Sequence, residues 1–338
     1  MFTLLHPFLK ISPREVEFSR RNFSCSRADI RERLENVGRA FLHGYHAALE
    51  EIDLETLATK LDQIGTEHQG FAYEGAAMAL ALLDGITPWK KANRFQQFLA
   101  GPGEPHIYMV CIGAGWAYAR LPWLRRRIES AMAGFDPLLC WLVIDGYGFH
   151  EGYFHWHTGF HRRVVRLSLD AQHVFYQGLG RSLWFICGAD PAQLRHTVSG
   201  FAPQFQNDAW SGIGLACAYA GGLDRSELDE LLAHAGPHAP AVAQGAAFAA
   251  KARQVAGNPA HHTEQACRAF CGMSAEEAAM LCDQTRQAID AGHHCPWQHW
   301  RELLQTEFAP FTQPTCHPES PKETHESNPA RNVVECRV

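Results

Sequence analysis

Seven glycines stand at the head of similar apolar segments, and they restrict this chain more than any other feature. The segments read Gly44-YHAAL, Gly75-AAMALAL, Gly113-AGWAYAR, Gly146-YGFHEGYF, Gly178-LGRSLWF, Gly212-IGLACAY and Gly245-AAFAAKA. Successive leading glycines are 31, 38, 33, 32, 34 and 33 residues apart. Four copies repeat the glycine two positions later, at Gly115, Gly148, Gly180 and Gly214. A glycine inside a helix costs about 1 kcal/mol relative to alanine. A cost repeated seven times needs a compensating gain, and close approach of neighbouring helices supplies one. Between the copies lie shorter amphipathic stretches that open on Asp190-Pro191, Gly222-Leu-Asp224 and Asn258-Pro259. Asp or Asn followed by Pro marks a helix start, with the cap at the first position and Pro at the next. The pattern predicts an all-α chain, a TPR-like αα-hairpin solenoid of about seven repeats of roughly 34 residues. Residues 1–26 are expected to form an N-terminal arm and residues 27–309 the helical-repeat domain. Residues 310–338 are rich in Pro, Ser, Glu, Thr, His and Asn, a composition that predicts a disordered tail.

Composition narrows the function classes. A net charge of −6 lacks the basic footprint of a nucleic-acid binder. No apolar run approaches the roughly 18 residues of a membrane span, and the start lacks the marks of a signal peptide. The eleven cysteines are odd in number and scattered. Cys267, Cys271 and Cys282 do not make zinc-finger spacing. The chain is therefore expected in the reducing cytoplasm.

If the glycine helices align, their columns can be compared. The residue before each leading glycine is His43, Glu74, Ile112, Asp145, Gln177, Ser211 or Gln244, six of seven polar. Four residues later, on the same helix face, come Ala47, Met78, Trp116, Phe149, Arg181, Leu215 and Phe248. Tyr153 and Trp184 lie about a turn further. Two readings are open. Either each polar residue hydrogen-bonds a neighbouring repeat, or the columns line an apolar groove with a few placed polar groups. The candidate substrate-contacting residues are Trp116, Phe149, Tyr153, Gln177, Arg181, Trp184, Trp210 and Ser211. The tryptophans are core residues in the plainer reading.

The middle repeat is densest in chemistry. Asp145 in apolar company would have a raised pKa and serve as a proton donor, with His150 or Glu151 as the matching base. Arg181 suits a carboxylate or phosphate, or a salt bridge to Asp145 or Glu151. His155, His157 and His161 form an H-x-H-x₃-H run that Glu151 would complete as a metal site. With 20 histidines in the chain, chance also produces such runs. Otherwise no cofactor is expected. Walker loops, nucleophile elbows and H-E-x-x-H pairs are absent from the sequence.

Four blocks, LKISPREVEFSRRNF (9–23), DGYGFHEGYFHW (145–156), QGLGRSLWF (177–185) and WSGIGLACAYAGG (210–222), occur in order. Together they resemble the UnbL family, described from enediyne antibiotic gene clusters and otherwise of unknown function. The resemblance covers roughly residues 9–290, and the stretch after Trp156 is more His-rich than the family pattern. It implies a small-molecule pathway with genes near an iterative polyketide synthase and the companions UnbV and UnbU. It carries no catalytic residues over.

Three functions remain open. The first is an enzyme that binds a long apolar polyene, polyketide or isoprenoid, and cyclises or isomerises it by proton transfer. The second is a non-catalytic helical-repeat module that docks a synthase or a UnbV-type companion. The third is a His-ligated metal oxidoreductase.

Overall fold

The computed structural model describes residues 9–312, other than 52, 88–92, 133–134, 159–163, 165 and 291. Among the described residues every regular element is helical, as the glycine periodicity predicts. In chain order the longer helices are α1 (Ala28–Glu50), α2 (Leu54–Asp62), α3 (Thr66–Ile86), α4 (Arg94–Leu99) and α5 (Ile107–Arg120). There follow α6 (Trp141–His155), α7 (Leu169–Ile186), α8 (Pro191–Ser199), α9 (Pro203–Ala220) and α10 (Arg225–Ala235). The series ends with α11 (Ala239–Ala256), α12 (His261–Phe270), α13 (Ala275–Gln287) and α14 (Pro296–Thr312).

The seven glycine segments lie on α1, α3, α5, α6, α7, α9 and α11, and each packs on the next in chain order. The glycines explain how. A Cβ built on Gly178 would lie 1.9 Å from the Asp145 carbonyl oxygen, and one on Gly212 1.9 Å from that of Gln177. On Gly245 it would lie 2.0 Å from the Ser211 oxygen. Each of these carbonyls belongs to the residue just before the preceding helix's leading glycine. The second glycines face forward: Gly180 meets Ala209 and Gly214 meets Val242 in the same way. Backbone thus touches backbone on both sides of a helix, which any side chain would prevent.

Shorter helices α2, α4, α8 and α10 lie between glycine helices, and α12 follows the last of them. Asp53, Asp190 and Asp224 cap α2, α8 and α10, accepting from Thr56, Gln193 and Glu227 backbone N–H groups. Asn258-Pro259 departs from the expected cap. The α12 helix begins at His261, and the Asn258 amide instead donates across the fold to the Thr66 carbonyl at 3.3 Å.

The array curls back on itself. Arg33 of α1 donates to the Ala220 carbonyl at the end of α9 at 2.7 Å, and Phe71 of α3 meets Tyr219 of α9 with ring centroids 5.1 Å apart. The N-terminal segment then covers part of the enclosed space. Ser12 caps a short turn at Pro13–Val16, and Val16 sits against Gly38 of α1, where a Cβ would come within 2.8 Å. At the other end, α14 lays Trp297 and Trp300 against Phe248 of α11.

Candidate functional site

Where the array curls, six of the seven glycine helices wall an apolar slot of about 60 Å³. That is room for a few waters, narrow beside a drug-sized pocket. Four consecutive repeats contribute the same column to its wall: Trp116, Phe149, Arg181 and Leu215. Tyr153 stands one turn beyond Phe149, with the two rings stacked at 5.8 Å. Trp116 lies 5.1 Å from Phe149 and 4.5 Å from Phe41. The Arg181 guanidinium sits over the Phe149 ring at 5.0 Å, so its charge meets a π face as well as carboxylates.

Two carboxyl groups flank that guanidinium. Asp145 is fully buried and accepts from Arg181 Nη1 and, at 3.0 Å, from Gln177 Nε2. Glu74 lies on the slot wall, accepts from Trp116 Nε1 at 2.9 Å, and is 3.9 Å from Arg181 Nη2. Burial pushes both carboxyls up, and Arg181 pulls both back down. For Glu74 the balance settles at about 7. One guanidinium cannot fully compensate two buried carboxylates, and the more weakly held one is shared between its protonated and ionised forms near neutrality.

Of the rest of the polar column, Gln177, Ser211 and Gln244 are tied into hydrogen bonds between helices, whereas His43 is exposed. Ser211 Oγ donates to Gln244 Oε1 at 2.8 Å. The α14 helix lies over this face: Trp297 donates to Gln177 at 3.3 Å, and Arg301 to Gln244 at 3.4 Å. Arg301 also forms a buried ion pair with Asp208 at 2.8 Å. Asp145, Gln177 and Ser211 are therefore held in the network and are absent from the slot lining, whereas Trp116, Phe149, Tyr153 and Arg181 line it. Trp184 is buried elsewhere, its indole donating to the Gly221 carbonyl at 3.1 Å. Trp210 is buried and lines neither the slot nor the adjoining pocket.

His150 and Glu151 sit at the far end of α6. His150 Nδ1 and His155 Nδ1 lie 3.5 and 3.3 Å from the two oxygens of Glu151. One ligand atom from each residue falls within 4.8 Å of the others, spacing that suits two imidazoles and a carboxylate around one divalent ion. His157 is exposed on the short turn Trp156–Thr158 and is not part of this grouping, and His161 lies outside the described residues. Burial pushes His150 down to about 4, so its ring is neutral at neutral pH. His150 and His155 face a polar pocket of about 530 Å³. This pocket shares Ile11, Glu15 and Phe154 with the apolar slot.

Several of these residues lay outside the sequence-based set. Glu74 belongs to the polar column, but nothing local distinguishes it from its neighbours there. The covering residues Ile11, Glu15 and Arg21 carry no periodic signal. The basic run Arg120-Leu-Pro-Trp-Leu-Arg125 is visible as charge alone.

The fold and site define an all-helical protein with a narrow apolar slot beside a buried acid–arginine pair. Residues 2–308 match DUF1702, described as a protein of unknown function, and the chain belongs to that family. Comparison with curated proteins and with solved structures gave no match. No helix among the described residues is long and apolar enough to cross a membrane.

Proposed function

We propose that this chain is an enzyme that holds a short conjugated segment of an apolar chain in the slot and isomerises it by proton transfer. The carrying observation is Glu74, a buried carboxyl on an apolar wall with its pKa raised to about 7. Such a group exchanges a proton readily near neutrality, as general acid–base work requires. Glu74 would take a proton from one carbon of the polyene and return it to another, leaving the mass unchanged. In a polyene conjugated to a carbonyl, Arg181 stands where negative charge would develop on that oxygen in the intervening dienolate. A carbocation would be disfavoured beside that guanidinium, so isomerisation is supported over cationic cyclisation. Trp116 positions the Glu74 carboxyl, and Phe149, Tyr153 and Leu215 shape the chain. Asp145 is the partner that orients Arg181.

The serial packing of glycine helices supports reading the domain as a TPR-like αα-hairpin solenoid of about seven repeats. The four sequence blocks that resemble UnbL support a natural-product setting, with a synthase or UnbV-type protein as companion. A second reading, a metal oxidoreductase, draws support from the His150–Glu151–His155 grouping.

The test is product analysis of a strain that makes linear conjugated polyenes, with this gene present, absent, or carrying Glu74→Gln. A new compound of unchanged mass that vanishes with Glu74→Gln is the expected result. Full activity of that variant would remove Glu74 from the mechanism. A product that has gained oxygen or lost hydrogen, with stoichiometric metal in the protein, would favour the oxidoreductase. No new compound in any strain would favour a binding module.

A further inference from the structure

We propose that the polar pocket beside the slot is an anion-binding vestibule for the carboxylate or phosphate head of an amphiphile whose apolar chain reaches into the slot. This rests on the slot being a chain-binding site and adds the chemical class of its ligand.

The pocket draws permanent positive charge from separate parts of the chain. Lys10 and Arg21 come from the N-terminal segment, Arg120 from the last turn of α5, and Arg125 from the turn that follows. The chain as a whole is acidic, at −6, so this gathering of cations runs against its average. Glu15 is the carboxylate among the pocket-lining residues, and Arg21 holds it at 2.6 Å. Arg21 is further fixed by donating to the Tyr153 and Phe154 carbonyls, both at 3.2 Å. It acts as a clasp that seats the covering segment on α6. Lys10 pairs with Glu50 at 3.4 Å.

Arg120 and Arg125 are different. Among the described residues neither has a carboxylate within ion-pair distance, and Arg125 reaches a backbone carbonyl, that of Ala119, at 3.3 Å. Two guanidinium groups without anionic partners, five residues apart on one wall, suit the oxygens of a carboxylate or phosphate, which arginine binds through paired N–H donors. The shared walls Ile11, Glu15 and Phe154 put the cationic pocket and the apolar slot in contact. A single molecule with a charged head and an apolar tail therefore meets complementary surfaces at both ends.

The test uses the intact protein and four probes: parinaric acid, a fluorescent polyenoic acid, with dodecyl phosphate, dodecanol and inorganic pyrophosphate as competitors. Two variants are compared with wild type: Arg120→Gln/Arg125→Gln in the vestibule, and Leu215→Trp in the slot. Thermal melts confirm that each is folded. The vestibule variant is expected to weaken parinaric acid and dodecyl phosphate about ten-fold or more and to leave dodecanol unchanged. The ratio of the two anionic affinities in wild type then separates a carboxylate head from a phosphate head. Anionic probes held within two-fold by the vestibule variant, or dodecanol bound as tightly as the acids by wild type, would overturn the vestibule. Leu215→Trp is expected to abolish all three alkyl ligands and spare pyrophosphate. If Leu215→Trp instead spares the alkyl ligands, the slot reading fails and the combined proposal is withdrawn, even where pyrophosphate binding depends on Arg120 and Arg125.

Discussion

Replacing Gly178 with alanine tests the packing rule on which this structure depends. Its added Cβ would lie 1.9 Å from the Asp145 carbonyl oxygen, 2.7 Å from the carbonyl carbon, and 2.9 Å from the Phe149 nitrogen. All three are backbone atoms, so no side chain can rotate away. To bring the oxygen contact to 3.0 Å, the shortest that real Cβ atoms tolerate, α6 and α7 must separate by at least 1.1 Å, the difference between 3.0 and 1.9 Å. The hydrogen bonds from Gln177 and Arg181 to Asp145 span that same interface and stretch with it. Alanine gains about 1 kcal/mol of helix propensity. Overpacking against rigid backbone costs about 3 kcal/mol. The net expectation is a loss of about 2 kcal/mol, read from urea denaturation followed by far-ultraviolet circular dichroism. Gly200→Ala is the control, since its φ of −81° is ordinary for any residue and its Cβ would meet only the Thr197 carbonyl oxygen, at an ordinary 3.4 Å. There the stability should move by less than about 0.5 kcal/mol. A Gly178→Ala protein as stable as wild type would refute the reasoning, because helix propensity would then outweigh contact.

Arg181→Met leaves the Asp145 carboxylate buried without its cation and should cost about 3–5 kcal/mol. Adding Asp145→Asn should recover part of that loss in the same denaturation assay, and strict additivity would disprove the pairing. Glu74 sets a pH dependence. Its folded pKa, about 7, lies above the ordinary value of 4.5, so the native state holds a proton that the unfolded chain releases. Its contribution to stability therefore falls as pH rises from about 4.5 to 7, by about 3 kcal/mol. Glu74→Gln lacks this term and should gain on wild type across that window. A difference that stays constant with pH would mean that Glu74 is ionised throughout.

Much of the architecture is readable along the chain. The spacing of Gly44 to Gly245 marks the seven helices that pack in series. The column four residues after the polar position delivers Trp116, Phe149, Arg181 and Leu215 to one wall. Helix periodicity and a missing Cβ are properties of a residue and its near neighbours, so they survive in the sequence. The Asp190 and Asp224 caps belong to the same class, while Asn258 escapes because its side chain is drawn to Thr66, 192 residues away.

The site itself is less legible. Asp145 has the same place in its helix as Glu74, and nothing local says which is locked by Arg181 and which faces the slot. That distinction follows from the curl of the array, which sets the Arg181 guanidinium against Asp145 and leaves Glu74 at 3.9 Å. The metal-like grouping turned out to join His155 with His150 and Glu151, because α6 runs to His155 and places them along one helix while His157 falls beyond it. What the sequence alone determined is the set of helices, their order and the glycine surfaces through which they touch. Only the tertiary structure decided that the first helices return to α9, that the N-terminal segment roofs the slot, and that the Glu74 carboxyl titrates near neutrality. The reason is physical: steric fit and periodicity are local, whereas desolvation and charge pairing depend on every element that meets at a point.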